Sequence, residues 1–123
     1  MDNNNNNYKF DMKSTTIYTS DNNDVSTLIN VFVVDPHDQE KLVTLLERAT
    51  ESVICTLPGF ISANIHKSLD GTKVVNYAQW KSKEDFEATL PNPQAKEHLA
   101  EAFRLSQPDP HLYEVVSIHH RSQ

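Results

Sequence analysis

The sequence has little of what would place it outside the class of small globular domains. It holds one cysteine, Cys55, which excludes an internal disulfide and favours a reducing, cytoplasmic compartment. No apolar run approaches the roughly 18 residues that a membrane-spanning helix needs, and the N-terminus lacks the pattern of a secretory signal. Basic residues number 11 against 17 acidic ones, for a net charge of −6. We therefore expect neither a membrane nor a nucleic acid as partner, since nucleic-acid binding needs a basic surface.

The length of 123 residues and the hydrophobic content of 37% fit one globular domain with a modest core. A chain of this size buries only about two-thirds of its surface on folding. Association with a second copy of the chain would therefore help to stabilise it.

The first 24 residues differ in composition from the rest of the chain. Residues 3–7 are all Asn, and Asn, Asp, Ser and Thr dominate up to Asp24. Such a segment buries too little apolar surface to offset its ordering entropy. We predict a disordered tail over residues 1–24, with an edge strand over residues 14–19 as the alternative, and a folded domain over residues 25–121. The candidate anchors of the tail are Tyr8, Phe10, Ile17 and Tyr18.

Order is predicted to begin with a strand and a helix. Residues 28–34 are apolar and β-branched, which is typical of a strand. Asp35 then provides a helix cap and Pro36 suits the first turn, while Pro58 and Gly59 provide a stop. Between them, apolar residues follow helical spacing at Leu42, Leu45, Leu46, Ala49, Val53 and Leu57.

The rest of the chain predicts two strands, a helix in two pieces and a final strand. The elements are strands over residues 60–69 and 73–80, helices that begin at Ser82 and at Asn92, and a strand over residues 112–120. Asp70 and Gly71 form a hairpin signal, and Pro108 and Pro110 are predicted to break the chain before the last strand. The order βαββαβ indicates an α+β, ferredoxin-like fold with a four-stranded antiparallel sheet.

In this fold the helices cover one face of the sheet and leave the other uncovered. Because nothing in the chain is left to cover that second face, we expect a homodimer, sheet against sheet, with a ligand cavity between the two sheets. Alternation along the second strand predicts which residues share the uncovered face. They are Phe60, Ser62, Asn64, His66 and Ser68.

The length of the hairpin loop decides what lies beside His66. A two-residue turn at Asp70 and Gly71 places His66 and Asn76 on opposite faces of the sheet. A three-residue loop places His66 opposite Asn76, on the face that also carries Trp80. Both lengths are common. We favour the three-residue loop, partly because it gathers three chemically useful side chains.

Two segments carry a family resemblance. Residues 57–63 read Leu-Pro-Gly-Phe-Ile-Ser-Ala, and residues 74–82 read Val-Val-Asn-Tyr-Ala-Gln-Trp-Lys-Ser. The Pro-Gly-Phe and the Asn-Tyr-x-x-Trp-x-Ser resemble the signature of the antibiotic biosynthesis monooxygenase family, over residues 25 to 120. The resemblance implies a dimeric α/β barrel. It also implies, in the branch that resembles anthrone oxygenases, oxidation of an aromatic substrate by O2 without a bound cofactor.

By motif position the resemblance assigns catalytic roles to His66, Asn76 and Trp80. His66 would serve as a base because its ordinary pKa is near neutrality. Asn76 would donate its amide to a developing oxyanion, and Trp80 would supply an N–H donor and a flat wall. Further candidates for the substrate pocket are Asn30, Phe32, Phe60, Ser62, Asn64 and Phe86. The partners implied are a small aromatic substrate and O2.

Two positions depart from that branch. Phe86 stands where it has a Tyr, and Ala100 stands where it has an Arg, with Arg104 one turn away. These departures argue against an anthrone as the substrate. They also favour a second hypothesis, in which the protein is a non-catalytic dimer that binds a small ligand.

The positions of the histidines in the sequence argue against a metal site and a haem site. His119 and His120 are adjacent on a predicted strand and would point to opposite faces, so they cannot hold one ion together. A haem-degrading relative would need a His on the helix after Trp80, and residues 86–94 contain none. We expect no metal and no bound cofactor.

Overall fold

The computed structural model describes residues 13–20 and 24–122. The regular elements are β1 (Ser26–Val34), α1 (Gln39–Ser52), β2 (Phe60–Lys67), β3 (Lys73–Trp80), α2 (Lys83–Glu87), α3 (Pro93–Leu105) and β4 (Ser106–Tyr113). The strands form one antiparallel sheet in the order β2-β3-β1-β4. This is the α+β, ferredoxin-like arrangement that the sequence predicts.

Side-chain caps form at the predicted positions Asp35 and Ser82, and also at Asn92, where a helix start was predicted. The Asp35 carboxylate accepts a hydrogen bond from the His37 N–H in a short 3₁₀ turn before α1. Ser82 caps α2 through the Asp85 N–H, and Asn92 caps α3 through the Ala95 N–H, both at about 3 Å.

The helices α1 and α3 pack against one face of the sheet, called here the helix face. The core on this face is built from residues that alternate along the strands and repeat along the helices. It consists of Phe32, Val34, Leu42, Leu46, Val74 and Ala102. The opposite side of the sheet is called the open face, and its covering by a second subunit stays a prediction. Within the described residues, no helix has both the length and the apolar character to cross a membrane.

The hairpin between β2 and β3 corrects the preferred register. The Ser68 N–H donates to the Lys73 carbonyl at 2.9 Å, so the loop has four residues, 69–72. The side-chain amide of Gln39 holds this closing pair by donating to both the Ser68 and the Lys73 carbonyls at 3.0 Å. As a result His66 pairs with Val75, and Ile65 pairs with Asn76. His66 and Asn76 therefore lie on opposite faces of the sheet, as the two-residue turn predicts. The register of the three-residue loop, which we favoured, is wrong.

A β-bulge at the start of β2 gives a second correction. Phe60 pairs with Trp80, whereas Ser62 pairs with Gln79, so Ile61 is an extra residue in the ladder. The bulge moves Phe60 to the helix face, although it has the same parity as Ser62. Simple alternation fails here because it assumes an unbroken ladder.

The last strand lies earlier than predicted. β4 spans Ser106–Tyr113 and includes Pro108 and Pro110, which pair with Phe32 and Asn30. Proline fits in β4 because this is an edge strand, whose outer N–H positions need no partner. Residues 114–122 carry no regular structure.

Part of the predicted tail lies against the sheet. Residues 13–20, called here the N-terminal segment, form no strand over residues 14–19. The Tyr18 backbone donates to and accepts from the Gln79 side-chain amide at 2.9 Å each way, which makes Tyr18 an anchor. Thr15 donates to Asn64 at 3.1 Å. The remainder of the predicted tail, including Tyr8 and Phe10, falls largely outside the described residues.

Candidate active site

A cavity of about 290 Å³ lies between the helix face and the helices α1, α2 and α3. Six of the nine predicted site residues line it: Asn30, Phe32, Phe60, Asn76, Trp80 and Phe86. The cavity is therefore formed within one protomer. It lies on the side of the sheet opposite to the expected dimer interface, and the expected cavity between the open faces of two sheets stays a prediction.

Small side chains form the part of the cavity wall that the sheet provides. Ala63 of β2 and Ala78 of β3 are direct cross-strand partners, and Leu28 of β1 flanks Ala78 on the other side. Both alanines line the cavity. Because methyl groups leave room above the sheet, a flat ring can lie over Ala63 and Ala78 between the larger residues on either side.

Two buried polar atoms in the cavity wall have no hydrogen-bond partner among the described residues. They are Asn76 Oδ1 and Trp80 Nε1. An unpaired buried donor or acceptor costs about 1–3 kcal/mol, so native proteins keep few of them. The two residues lie four apart on β3, about 13 Å between Cα atoms, on the same face. They offer one acceptor and one donor to a bound molecule, on either side of Ala78.

Asn30 adds a second amide beside Asn76. The two residues are cross-strand partners on β1 and β3. The Asn30 Oδ1 accepts from the Asp109 N–H at 2.9 Å, which fixes the amide orientation. Its NH₂ group is therefore the part of the side chain that remains to donate.

An aromatic wall closes the other end. Trp80, only 2% exposed, meets Phe60 edge-on with ring centroids 5.4 Å apart and Phe86 with centroids 6.1 Å apart. Edge contacts of this kind hold rings in defined orientations. The wall therefore positions the Trp80 N–H rigidly.

Three predicted site residues lie elsewhere. Ser62, Asn64 and His66 pair with Gln79, Tyr77 and Val75, which places them on the open face. None of the three lines the cavity. The prediction that His66 shares a patch with Asn76 and Trp80 is wrong, because the four-residue loop sets the opposite register.

Apart from Phe86, the residues on the helical side of the cavity had no predicted role. Lys96, Leu99 and Phe103 of α3 line it at positions i, i+3 and i+7, spacing that places them on one helix face. Thr50 of α1 also lines it. The helical spacing of the apolar residues Leu99 and Phe103 was visible in the sequence. Such spacing predicts core residues as readily as residues that line a cavity.

Together, the fold and the cavity define a class: a ferredoxin-like domain that encloses a small, mostly apolar cavity with a few convergent polar groups, which are features typical of small-molecule sites. The profile of the family described as antibiotic biosynthesis monooxygenase matches residues 26–113. The chain is 44% identical over 93 residues to the tetracenomycin-F1 monooxygenase of Streptomyces glaucescens, across 76% of this chain and 83% of that protein. The chain belongs to the antibiotic biosynthesis monooxygenase family.

Solved structures agree. A monooxygenase from the gene ActVA-Orf6 of Streptomyces coelicolor, in complex with nanaomycin D, is 32% identical with a TM-score of 0.70, over 79% of this chain and 92% of that one. SnoaB of Streptomyces nogalater, a cofactor-independent oxygenase, shares the fold at 22% identity with a TM-score of 0.67, over 77% and 96% of the two chains. The relatives with appreciable identity support a monooxygenase activity.

Proposed function

We propose that the protein is a cofactor-independent monooxygenase that oxidises an electron-rich aromatic of the anthrone or hydroquinone type with O2. The observation that carries this proposal is the pair of unpartnered polar atoms, Asn76 Oδ1 and Trp80 Nε1, in the wall of an otherwise mostly apolar cavity. A flat molecule with a hydroxyl at one end and a carbonyl at the other would pair both atoms. The names of the 44% and 32% identical relatives support the same reaction class.

The first step of such a reaction is loss of a proton from the substrate, because O2 in its triplet ground state reacts slowly with closed-shell neutral molecules. The resulting anion passes one electron to O2, and the two radicals then combine at carbon to form a peroxide. Once the peroxide is protonated by water, its O–O bond breaks with loss of H2O and of the remaining hydrogen on that carbon, which leaves a carbonyl group. The protein stabilises the charge that develops on the substrate oxygen. In our proposal the Trp80 N–H donates to that oxygen, as oxyanion-hole donors do, while Asn76 Oδ1 accepts from the substrate hydroxyl.

Because His66 lies on the open face, it cannot act as the base for a substrate in the cavity. Among the described residues that line the cavity there is no carboxylate or imidazole, and the one ionisable side chain is Lys96. We therefore propose that the substrate's own acidity supplies the anion. The proton passes to water, and the charge of the anion spreads by conjugation onto the carbonyl oxygen, where the Trp80 N–H donates. Phenols ionise near pH 10, about where Tyr does, and this donor lowers the pKa of the substrate within the site.

Oxygen uptake by metal-stripped protein with a panel of anthrones and hydroquinones tests the proposal. Trp80→Phe keeps a ring in the aromatic wall but removes the N–H, so we expect kcat to fall by roughly a hundredfold. His66→Ala, on the open face of the same hairpin, is the matched control and should stay within about twofold of the parent. Equal rates in Trp80→Phe and the parent would remove the donor from the mechanism.

A ligand-binding protein without turnover is the second candidate. The observation that favours it is Phe86, which lines the cavity without the hydroxyl that the anthrone oxygenase branch has at this position. Binding of the panel without oxygen uptake above the background rate would select it over the oxygenase.

A further inference from the structure

Among the described residues that line the cavity, the one charged side chain is that of Lys96, on α3. Lys96 is exposed yet lines the cavity, together with the exposed Leu90 and Phe103. Exposed residues that also line a cavity mark its mouth. A lysine in this position lays its aliphatic stem along the apolar wall and leaves its ammonium at the water boundary.

The helical neighbours of Lys96 leave that charge uncompensated. Residues three and four positions away on a helix are those that form ion pairs. For Lys96 these residues carry no charge: they are Asn92, Pro93, Leu99 and Ala100. Glu97 is adjacent in sequence, and neighbours at i+1 do not face each other on a helix. Other lysines do pair, as Lys41 does with Glu101 at 2.8 Å.

The position of Lys96 within its helix is also unfavourable for stability. The N-terminal end of a helix carries a partial positive charge that prefers acidic residues. The first turn of α1 contains Glu40, and that of α2 contains Glu84 and Asp85. The first turn of α3 contains no acidic residue and ends in Lys96. Folding therefore gives no electrostatic reason for a cation at this place.

We propose that Lys96 selects substrates that carry an acidic group, with the aromatic rings inside the cavity and a carboxylate at its mouth. The ammonium and the positive end of α3 would attract the carboxylate together, in a protein whose net charge of −6 otherwise repels anions. This inference rests on the proposed function, because it assigns the substrate class of the same cavity.

Binding measurements test the inference without turnover. The probes are anthraquinone-1-carboxylate and anthraquinone-2-carboxylate, compared with the corresponding hydroxymethyl anthraquinones as neutral partners. Calorimetry gives Kd, and quenching of Trp80 reports occupancy directly, because it is the one tryptophan of the chain. We expect a carboxylate to bind more tightly than its neutral partner in the parent protein.

Lys96→Met keeps most of the stem and removes the charge. We expect it to weaken carboxylate binding about two- to fivefold at low salt and to leave neutral-probe binding unchanged, with the difference shrinking as salt rises. Lys96→Arg should restore the preference, and Lys73→Met, which makes the same change of net charge on β3, should not alter it. Because α3 loses an unfavourable charge, Lys96→Met should melt at the same temperature as the parent or higher.

The outcomes separate the two proposals. If the probes bind but Lys96→Met weakens both kinds equally, or neither, the role of Lys96 is overturned and the aromatic site stands. If no probe binds, the cavity is not an aromatic site and both proposals fall.

Discussion

The two faces of β3 treat buried polar groups in opposite ways. On the open face, Gln79 is fully buried and its amide is paired with the Tyr18 backbone and with Thr27 Oγ1. On the helix face, Asn76 and Trp80 each leave a buried polar atom unpaired. The third such atom among the described residues, Ser20 Oγ, lies in the N-terminal segment. The paired amide stabilises the fold, whereas the unpaired atoms remain available to a ligand, as we propose.

The largest effect on stability is expected at Gln79. Gln79→Leu would leave the Tyr18 backbone and the Thr27 hydroxyl without their partner, at a cost of about 2–3 kcal/mol in the free energy of unfolding. Urea unfolding measures this, and faster amide hydrogen exchange at Tyr18 would show release of the N-terminal segment. The same substitution at the exposed Gln107 of β4 is the control. A change below about 0.5 kcal/mol, the usual range of surface substitutions, would show that the N-terminal segment is not held by Gln79.

Asn76→Leu should act in the opposite direction. It replaces an amide whose buried oxygen is unpaired by an apolar group of similar size, so the free energy of unfolding should rise by about 0.5–1 kcal/mol. Oxygen uptake should fall at least about tenfold, because the acceptor for the substrate hydroxyl is lost.

Asn64→Leu, on the open face of β2, is the matched control for Asn76→Leu. It should retain activity and lose a little stability. If Asn76→Leu destabilises the protein while leaving oxygen uptake intact, the contrast between the two faces breaks down.

Low pH should destabilise the hairpin between β2 and β3, which sets the pairing of these two strands. Hydrogen bonds from the Ser68 hydroxyl and from the Thr72 hydroxyl and N–H lower the pKa of Asp70 from 3.8 to about 2. Since the folded pKa lies below the ordinary value, this stabilisation is present above about pH 4 and is lost as the pH falls towards 2. Urea midpoints at several pH values should fall less steeply over this window in Asp70→Asn than in the parent. Parallel curves would mean that Asp70 does not stabilise the loop.

Thr15→Val should have the smallest effect. The Thr15 hydroxyl donates to Asn64 at 3.1 Å in an exposed position, where water can replace the lost bond. We expect the free energy of unfolding to change by less than about 0.5 kcal/mol. A larger loss, measured by urea unfolding beside Gln79→Leu, would show that the N-terminal segment is held along its length rather than mainly at Tyr18.

Local sequence signals predicted the elements well. The caps at Asp35 and Ser82 and the helix start at Asn92 form as expected, because each depends on a side chain and a backbone group within three residues. Strand β3 has the predicted limits, and the βαββαβ order defines the fold. The last strand was misplaced because proline reads as a breaker in sequence, and only the edge position of β4 makes it acceptable.

The sequence by itself determined the order of elements, the helix starts and the polar candidates on β3, because these depend on neighbours along the chain. The tertiary structure alone decided which candidates meet. His66 and Asn76 are separated by a register that the Gln39 amide holds at Ser68 and Lys73. Phe60 joins Trp80 through a bulge. A shift of one residue reverses every side chain of a strand, and contacts between segments distant in sequence fix that shift.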